Sequence, residues 1–387
     1  MHEKTILDKP EELEKIDKSN MLNLCVKTPE HCQDAIQRAK NIRIPNDVKV
    51  SKKITIKYKK PRNIIITGMG GSAIGGEILQ DWLQDKLPIP IQICRNYTLP
   101  AYANRNTLVF AISCSGETEE TLNAFADAIC RKCMTITISS GGHLLSFSKK
   151  LQIPHVTIPN GRPPRAAIPY IFFPLPILLE KMDILSNIEK DIEETIRVLK
   201  KVSEENSPRI PTKKNVSKML ALELEKTIPV VYGFGQYRAV AHRMKTQFNE
   251  NSKLLSVYDV FPELNHNEAV GWEVSEDLAK KFSVILIRDH DEPPEIKHRI
   301  EMTKMLALHK AQIVLEIYAK GKGMLAKMFS VLLVGDLVSV FLAILRGVDP
   351  VPVKTIDLIK QEMSRKFDVA GKLEEEVRKI IECFCCT

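Results

Sequence analysis

Two segments of the sequence run from β-branched residues through glycine and hydroxyl residues into a helix-like stretch, and this pattern limits the possible folds most. The first, 64–76, reads Ile-Ile-Ile-Thr-Gly-Met-Gly-Gly-Ser-Ala-Ile-Gly-Gly, and the second, 112–121, reads Ile-Ser-Cys-Ser-Gly-Glu-Thr-Glu-Glu-Thr. Strand-to-helix turns of this kind bring backbone N–H groups, hydroxyls and the positive end of a helix to one place. We therefore predict a cradle for an anionic group at the carboxyl ends of two strands.

Predicted strands and helices alternate around these segments. Short apolar runs predict the strands, and a 3.6-residue periodicity predicts the helices. Such alternation is typical of an α/β fold with a doubly wound parallel sheet and flanking helices. In the first half the predicted strands are 63–68, 89–95, 107–113, 134–139 and 155–159, and the predicted helices are 73–84, 117–131 and 143–151.

A charged helical stretch at 183–205 and a proline-containing break at 207–211 separate this half from a second one. The alternation then restarts, which predicts a second sheet of the same kind. Its predicted strands are 228–234, 254–260, 283–289 and 312–319, and its predicted helices are 236–250, 293–308, 324–345 and 354–363, with a further helix at the C-terminus.

We accordingly predict three parts in the chain: a charged, partly helical region at 1–60, a first domain with its connecting helix at 61–205, and a second domain at 206–387. The two domains begin alike, with Ile-Thr-Gly-Met-Gly at 66–70 and Val-Tyr-Gly-Phe-Gly at 231–235, which indicates duplication. Only the first domain is expected to hold an anion, because the acids in Arg-Asp-His-Asp-Glu at 288–292 would repel a phosphate.

Composition excludes several classes of protein. The formal charge of +8 is spread among interleaved acids, so we expect no nucleic-acid partner. Nine scattered cysteines and the absence of an apolar signal segment predict a reducing cytoplasm, and neither the pair at 130–133 nor the group at 383–386 has zinc-site spacing. The apolar run 329–345 contains Asp336 and predicts a buried helix, not a membrane span.

The first cradle segment also fits the dinucleotide fingerprint G-x-G-x-x-A at 68–73. A Rossmann site needs an acid after the second strand, but the sequence there is Ile-Cys-Arg-Asn at 93–96, so an NADP site using Arg95 is the remaining form of this alternative. Ser113, Ser115 and Thr118 instead suit a compact monophosphate. Their alternative role is to cap the helix that follows.

Three further polar groups are candidates for chemistry. Arg165 follows two prolines, and it either faces developing negative charge or forms a surface ion pair. Glu250 ends a predicted helix, where a carboxylate can serve as a proton-transfer base. His266 lies in Pro-Glu-Leu-Asn-His-Asn-Glu at 262–268, where hydrogen-bond partners can fix its tautomer. Both segments can also be ordinary polar loops.

Four segments in this order carry a resemblance to the archaeal-type bifunctional phosphoglucose/phosphomannose isomerases, which are built from two sugar-isomerase (SIS) domains. They are 68–76, 113–121, the Pro-Pro-Arg-Ala-Ala at 163–167, and 262–268. The resemblance implies phosphate binding by Gly71, Ser72, Ser113, Ser115 and Thr118. It also implies that Arg165 stabilises an enediolate, that Glu250 moves a proton between C1 and C2, and that His266 opens the sugar ring. A C-terminal lysine assists the ring opening, and Lys360 fits its place better than Lys354.

The resemblance further implies an aldose–ketose isomerase that interconverts glucose 6-phosphate or mannose 6-phosphate with fructose 6-phosphate. Neither a metal nor a cofactor is expected, and His266 is expected to reach the partner's site in a homodimer. The ratio of the two activities stays open. Two alternatives are a non-catalytic SIS sugar-phosphate sensor, which would not need Glu250 or His266, and the NADP-binding oxidoreductase.

Overall fold

The computed structural model describes residues 5–367, 371–372 and 374–375. These residues form two compact units, each built around one sheet. The first-sheet unit comprises His31–Ile188 and the described residues from Val353 onward; the second-sheet unit comprises residues 5–30 and Glu189–Pro352. This division differs from the predicted domains, whose boundaries stay predictions. The predicted C-terminal helix lies largely outside the described residues, and the cysteine group at 383–386 lies wholly outside them.

The strands are short and, apart from the first two, parallel. They are β1 (Asp47–Lys49), β2 (Thr55–Lys57), β3 (Asn63–Thr67), β4 (Ile91–Cys94), β5 (Thr107–Ile112), β6 (Met134–Ser139), β7 (His155–Thr157), β8 (Ile228–Phe234), β9 (Val257–Phe261), β10 (Phe282–Arg288) and β11 (Ile313–Tyr318).

The helices connect successive strands or cover the sheets. They are α1 (Pro10–Ile16), α2 (Met21–Val26), α3 (Thr28–Lys40), α4 (Gly71–Leu83), α5 (Glu119–Cys130), α6 (Gly142–Lys150), α7 (Ile168–Phe172), α8 (Pro174–Lys181), α9 (Glu189–Glu205), α10 (Val216–Leu224), α11 (Arg238–Glu250), α12 (Glu268–Gly271), α13 (Glu276–Ala279), α14 (Pro294–Leu306), α15 (Met324–Leu345) and α16 (Lys354–Lys366).

The first sheet has the strand order β4-β3-β5-β6-β7, and every pairing in it is parallel. Its central strands β5 and β6 are buried along their whole length, as expected for a sheet covered on both faces. One face carries a core of α5 and α6 side chains together with Val48 and Ile56 from the antiparallel pair β1–β2. The predicted α/β fold is confirmed.

The second sheet has the order β9-β8-β10-β11 and is also parallel throughout. This order repeats β4-β3-β5-β6 of the first sheet. The glycines at the two matching turns repeat as well, because Gly70 and Gly235 have φ angles of +48° and +47°. The shared topology supports the duplication predicted from the two Gly-x-Gly segments.

Helix α15 is long and apolar enough to cross a membrane, and it is the one such helix in the described part of the chain. However, 94% of its most apolar window is buried inside the protein, where α15 packs against α9, α10 and α11. Asp336, inside this helix, accepts hydrogen bonds from Arg243 Nη2 (2.7 Å) and Gln247 Nε2 (2.8 Å) of α11. The predicted buried helix is confirmed.

The N-terminal segment packs onto the second-sheet unit. Asp8 Oδ1 accepts hydrogen bonds from the N–H and the hydroxyl of Thr212, each at 2.8 Å, and Lys218 Nζ lies 3.2 Å away. Burial opposes ionisation of Asp8, but these donors outweigh it and lower the pKa of the carboxyl. Asp8 thus attaches the N-terminal segment to the rest of the second-sheet unit.

Candidate active site

The two cradle segments meet at one edge of the first sheet. Strands β3 and β5 are neighbours, with Thr67 paired to Ala111, so the turns after them lie side by side. Gly70 has a left-handed φ of +48° and is followed directly by α4, whose N-terminus no side chain caps. The N–H groups of Ser72 and Ala73 donate to the Met69 and Gly70 carbonyls, and the positive dipole end of this thirteen-residue helix favours an anion.

Ser113 holds the second cradle segment in shape. It is fully buried, and its Oγ accepts hydrogen bonds from the N–H groups of Gly116 (3.0 Å) and Thr118 (3.4 Å). The same Oγ lies 2.9 Å from Thr118 Oγ1. Since a serine hydroxyl has one proton and two lone pairs, and both lone pairs are used, the Ser113 proton goes to Thr118.

Of the other three hydroxyls, those of Ser115 and Thr118 keep their protons for a ligand. Thr118 Oγ1 accepts from Ser113, Ser72 Oγ accepts from the Cys114 N–H (3.2 Å), and Ser115 Oγ accepts from the Glu117 N–H (3.2 Å). Within residues 5–367 no acceptor takes the remaining proton of Thr118 or Ser115, whereas the Ser72 hydroxyl also hydrogen-bonds to the Cys114 sulfur. Thr118 precedes α5 but makes no capping hydrogen bond to it. Two free O–H donors and a helix N-terminus suit a phosphate better than a helix cap.

Arg165 lies close to the same helix N-terminus. A side chain at Gly71 would place Cβ 2.9 Å from the Pro164 carbonyl carbon and 3.0 Å from the Arg165 nitrogen, so the glycine permits this close approach. Arg165 is only 2% exposed. The surface ion pair considered for this arginine is therefore wrong.

Arg162, on the same turn, has a different environment. Its guanidinium lies 5.2 Å from the Tyr170 ring centre, and Nη1 lies 2.8 Å from His31 Nε2. Burial raises the pKa of the Tyr170 hydroxyl to about 12, so this hydroxyl stays neutral. Arg162 thus packs within the unit, as a structural residue does.

A third loop, between β6 and α6, completes the cradle and was missed by the sequence prediction. The N–H and the hydroxyl of Ser140 both donate to the Cys114 carbonyl, at 3.0 and 2.7 Å. Gly116 has a φ of +79°, and a Cβ there would lie 2.0 Å from the Gly141 oxygen. The available signal was the Ser-Ser-Gly-Gly run at 139–142, which again follows a buried strand.

The dinucleotide alternative depends on Arg95 to bind the 2′-phosphate of NADP. Arg95 forms an ion pair with Glu77 of α4, whose side chain is 3% exposed. A guanidinium already paired with a buried carboxylate is a poor partner for a second anion.

The matching turn of the second sheet is filled by an ion cluster. Lys327 Nζ (2.8 Å) and the Tyr237 hydroxyl (2.5 Å) both donate to Asp289. Burial disfavours the charged form, but the N–H of Asp291 and the Lys327 ammonium outweigh it and lower the pKa of Asp289. The acids that we expected to repel phosphate occupy the turn themselves.

Glu250 is the last residue of α11, as predicted, and it is partly buried. The segment after it is anchored to α15: Asn251 Nδ2 donates to Ser339 Oγ (2.8 Å) and Ser252 Oγ donates to the Ser339 carbonyl (2.6 Å). Lys253 Nζ donates to the Glu250 carbonyl at 2.6 Å. The helix end that carries the carboxylate is therefore rigidly held.

His266 ends a short 3-10 turn and is exposed. Its neighbours make the turn rigid, since Asn267 Nδ2 donates to Glu263 Oε1 (2.8 Å) and Asn265 Nδ2 donates to Thr303 Oγ1 (2.7 Å). In the described residues no hydrogen bond to the imidazole fixes its tautomer. The amide-rich sequence therefore shapes the backbone around His266 rather than the ring.

Lys360 and Lys354 both belong to α16 and are both exposed. No hydrogen bond or ion pair joins either lysine to the cradle within the described ranges. The choice between them stays open. The structure thus collects the cradle residues and Arg165 in the first-sheet unit, while Glu250 and His266 belong to the second-sheet unit.

Comparisons with known proteins agree with this architecture. Residues 213–363 match the family model of the bacterial phospho-glucose isomerase C-terminal SIS domain. The chain is 40% identical over 337 residues to a bifunctional phosphoglucose/phosphomannose isomerase of Caldicellulosiruptor bescii, covering 87% of this chain and 96% of the relative. It is 34% identical to one of Aquifex aeolicus, covering 79% and 91%.

A solved structure shows the same fold. The crystal structure of a glucose-6-phosphate isomerase like protein from Thermus thermophilus aligns with a TM-score of 0.58 at 17% identity, covering 90% of this chain and 98% of that one. Fold, cradle and family model together define an SIS-type sugar-phosphate isomerase. The chain belongs to the bifunctional phosphoglucose/phosphomannose isomerase family.

Proposed function

We propose that this protein interconverts glucose 6-phosphate, mannose 6-phosphate or both with fructose 6-phosphate by metal-independent proton transfer through an enediolate. The observation that carries the proposal is the cradle, in which Ser115 and Thr118 each retain a free hydroxyl proton and Ser72 lies in the first turn of α4. Such donors suit a phosphate dianion, which has only acceptors.

In this proposal the phosphate at C6 is a handle and the chemistry takes place at C1 and C2. Gly71 gives the backbone room, Ser113 shapes the loop, and the other three hydroxyls bind the phosphate. A fixed handle limits the motion of the open-chain sugar during the reaction, and such positioning contributes several kcal/mol to the lowering of the barrier, on the order of 7–11 kcal/mol at best.

The Glu250 carboxylate removes the proton from C2 of the open-chain aldose. The C–H electrons form the C1–C2 double bond, and the carbonyl electrons move onto O1, which gives the enediolate. Return of the proton to C1 and transfer of the O2 proton to O1 then give the ketose. Arg165 stabilises the oxyanion, which exists only along the reaction path.

One base serves both aldoses. Glucose 6-phosphate and mannose 6-phosphate differ only in configuration at C2, and removal of the C2 proton converts both to the same enediolate. The second activity therefore needs no second base. It needs proton return to either face of C2.

His266 and a lysine of α16, Lys360 or Lys354, open the sugar ring by proton exchange with the ring oxygen and the C1 hydroxyl. The exposure of His266 supports a role toward another subunit, so we propose a homodimer. We also propose a cytoplasmic location and the predicted domain boundaries at 60 and 205.

A coupled assay on the purified full chain tests the proposal. Each aldose 6-phosphate is supplied in EDTA, and formation of fructose 6-phosphate is followed. Turnover of either substrate is the expected result. Saturable binding without turnover would support the sensor, and a nicotinamide absorbance change without coupling enzymes would support the oxidoreductase.

A further inference from the structure

A carboxylate lies within the phosphate cradle itself. Glu117 stands between the proposed ligand donors Ser115 and Thr118, and its side chain is 48% exposed. A negative charge beside a phosphate dianion weakens binding unless it is turned away. The direction in which Glu117 points therefore matters for the cradle.

His143, at the start of α6, contacts both carboxylate oxygens of Glu117. Its backbone N–H donates to Glu117 Oε1 at 3.0 Å, and its Nδ1 lies 2.5 Å from Glu117 Oε2. The imidazole also has Glu374 beside it, with Nε2 3.6 Å from Oε1 of that residue. These two carboxylates are the charged groups that face the ring in the described parts of the chain.

The contact is fixed by close packing of the two loops. A Cβ at Gly142 would lie 2.5 Å from Glu117 Oε1 and 2.6 Å from the Ser115 carbonyl oxygen. The Leu144 N–H donates to the Gly116 carbonyl at 3.1 Å. His143 therefore approaches Glu117 from one direction, and the carboxylate is held toward α6.

We propose that His143 is a positioning residue for anion binding, whose imidazole holds the Glu117 carboxylate away from the phosphate. The inference deepens the proposed function and rests on the cradle being its phosphate site. It predicts that the interaction matters because of the Glu117 charge, not only because of loop stability.

Calorimetric titration of the full chain with inorganic phosphate tests this without requiring turnover. We expect His143→Ala to raise the phosphate Kd about fivefold, the size of one solvent-screened charge contact. Adding Glu117→Gln to His143→Ala should restore the affinity, since the released charge is then gone. Glu374→Gln, which removes the carboxylate on the other side of the ring, should change the Kd less than about twofold.

A second pair of variants guards against a folding defect in His143→Ala. Asparagine places an amide nitrogen near the position of Nδ1, so His143→Asn should bind phosphate nearly as well as the wild type. The longer His143→Gln should bind it more weakly. In the isomerase assay, His143→Ala should raise KM with little change in kcat.

The inference fails if His143→Ala leaves the phosphate Kd unchanged, if Glu117→Gln does not restore it, or if the asparagine and glutamine variants bind alike. If the wild type binds phosphate as described but does not isomerise either sugar, the proposed function fails and the role of His143 stands.

Discussion

The cradle hydroxyls of Ser113 and Ser115 differ in burial, and this difference predicts that replacing each by alanine affects a different property of the protein. Ser113 is fully buried and binds only protein groups, whereas Ser115 is exposed and keeps a proton for a ligand. Ser113→Ala should therefore lower stability, and Ser115→Ala should weaken substrate binding.

The magnitudes follow from the hydrogen bonds. Ser113→Ala removes the acceptor of the Thr118 N–H and the donor to Thr118 Oγ1, while the Gly116 N–H keeps the Ser113 carbonyl at 3.1 Å. Losing one to two buried bonds lowers the free energy of unfolding by about 1–2 kcal/mol. Ser115→Ala should change it by less than about 0.5 kcal/mol but raise KM about tenfold, since it removes a bond to a charged group.

Urea titration and isomerase kinetics measure the two effects. The chain has two tryptophans, Trp82 in the first-sheet unit and Trp272 in the second-sheet unit. In a Trp272→Phe background, tryptophan fluorescence therefore reports unfolding of the first-sheet unit, which contains the cradle. The reasoning is refuted if Ser115→Ala destabilises this unit as much as Ser113→Ala does, or if Ser115→Ala leaves KM unchanged.

Two further predictions concern the stability of the same unit. Gly116→Ala should destabilise it more than Gly161→Ala. Both residues have φ near +80°, so both substitutions cost a strain of about 1–2 kcal/mol, but only at Gly116 would Cβ also meet a backbone oxygen, at 2.0 Å. Equal urea midpoints for the two variants would contradict this. Burial lowers the pKa of His155 from the ordinary 6.5 to about 4. The unfolded chain therefore protonates His155 at a higher pH than the folded chain does, and the free energy of unfolding should fall as the pH drops from 6.5 toward 4. His155→Gln should flatten this fall, and a pH profile parallel to that of the wild type would refute the prediction.

The parallel sheets were predictable because buried parallel strands leave long apolar runs in the sequence. Strands β6 and β8 have the predicted limits, and β5 differs by one residue at its end. The pair β1–β2 was not predicted, since each of these three-residue strands has a single buried residue among exposed ones. Helix α10 was also missed, because it follows closely on the proline-containing break.

The cradle was predictable in composition but not in the division of labour among its residues. Spacing alone did not separate Ser113, which shapes the loop, from Ser115, which faces solvent, since that depends on which lone pairs the backbone uses. The burial of Arg165 depends on the approach that Gly71 permits. The contact between His143 and Glu117 joins two loops 26 residues apart and leaves no local pattern.

The account rests most directly on Glu250 as the base. The deciding measurement is kcat for glucose 6-phosphate with Glu250→Gln, beside Glu223→Gln, which changes an exposed glutamate of α10 in the same unit. Loss of a general base lowers kcat by a factor of about 10²–10⁴, and we expect that loss for Glu250→Gln with wild-type rates for Glu223→Gln. Turnover by Glu250→Gln at the wild-type rate would contradict the proposed mechanism.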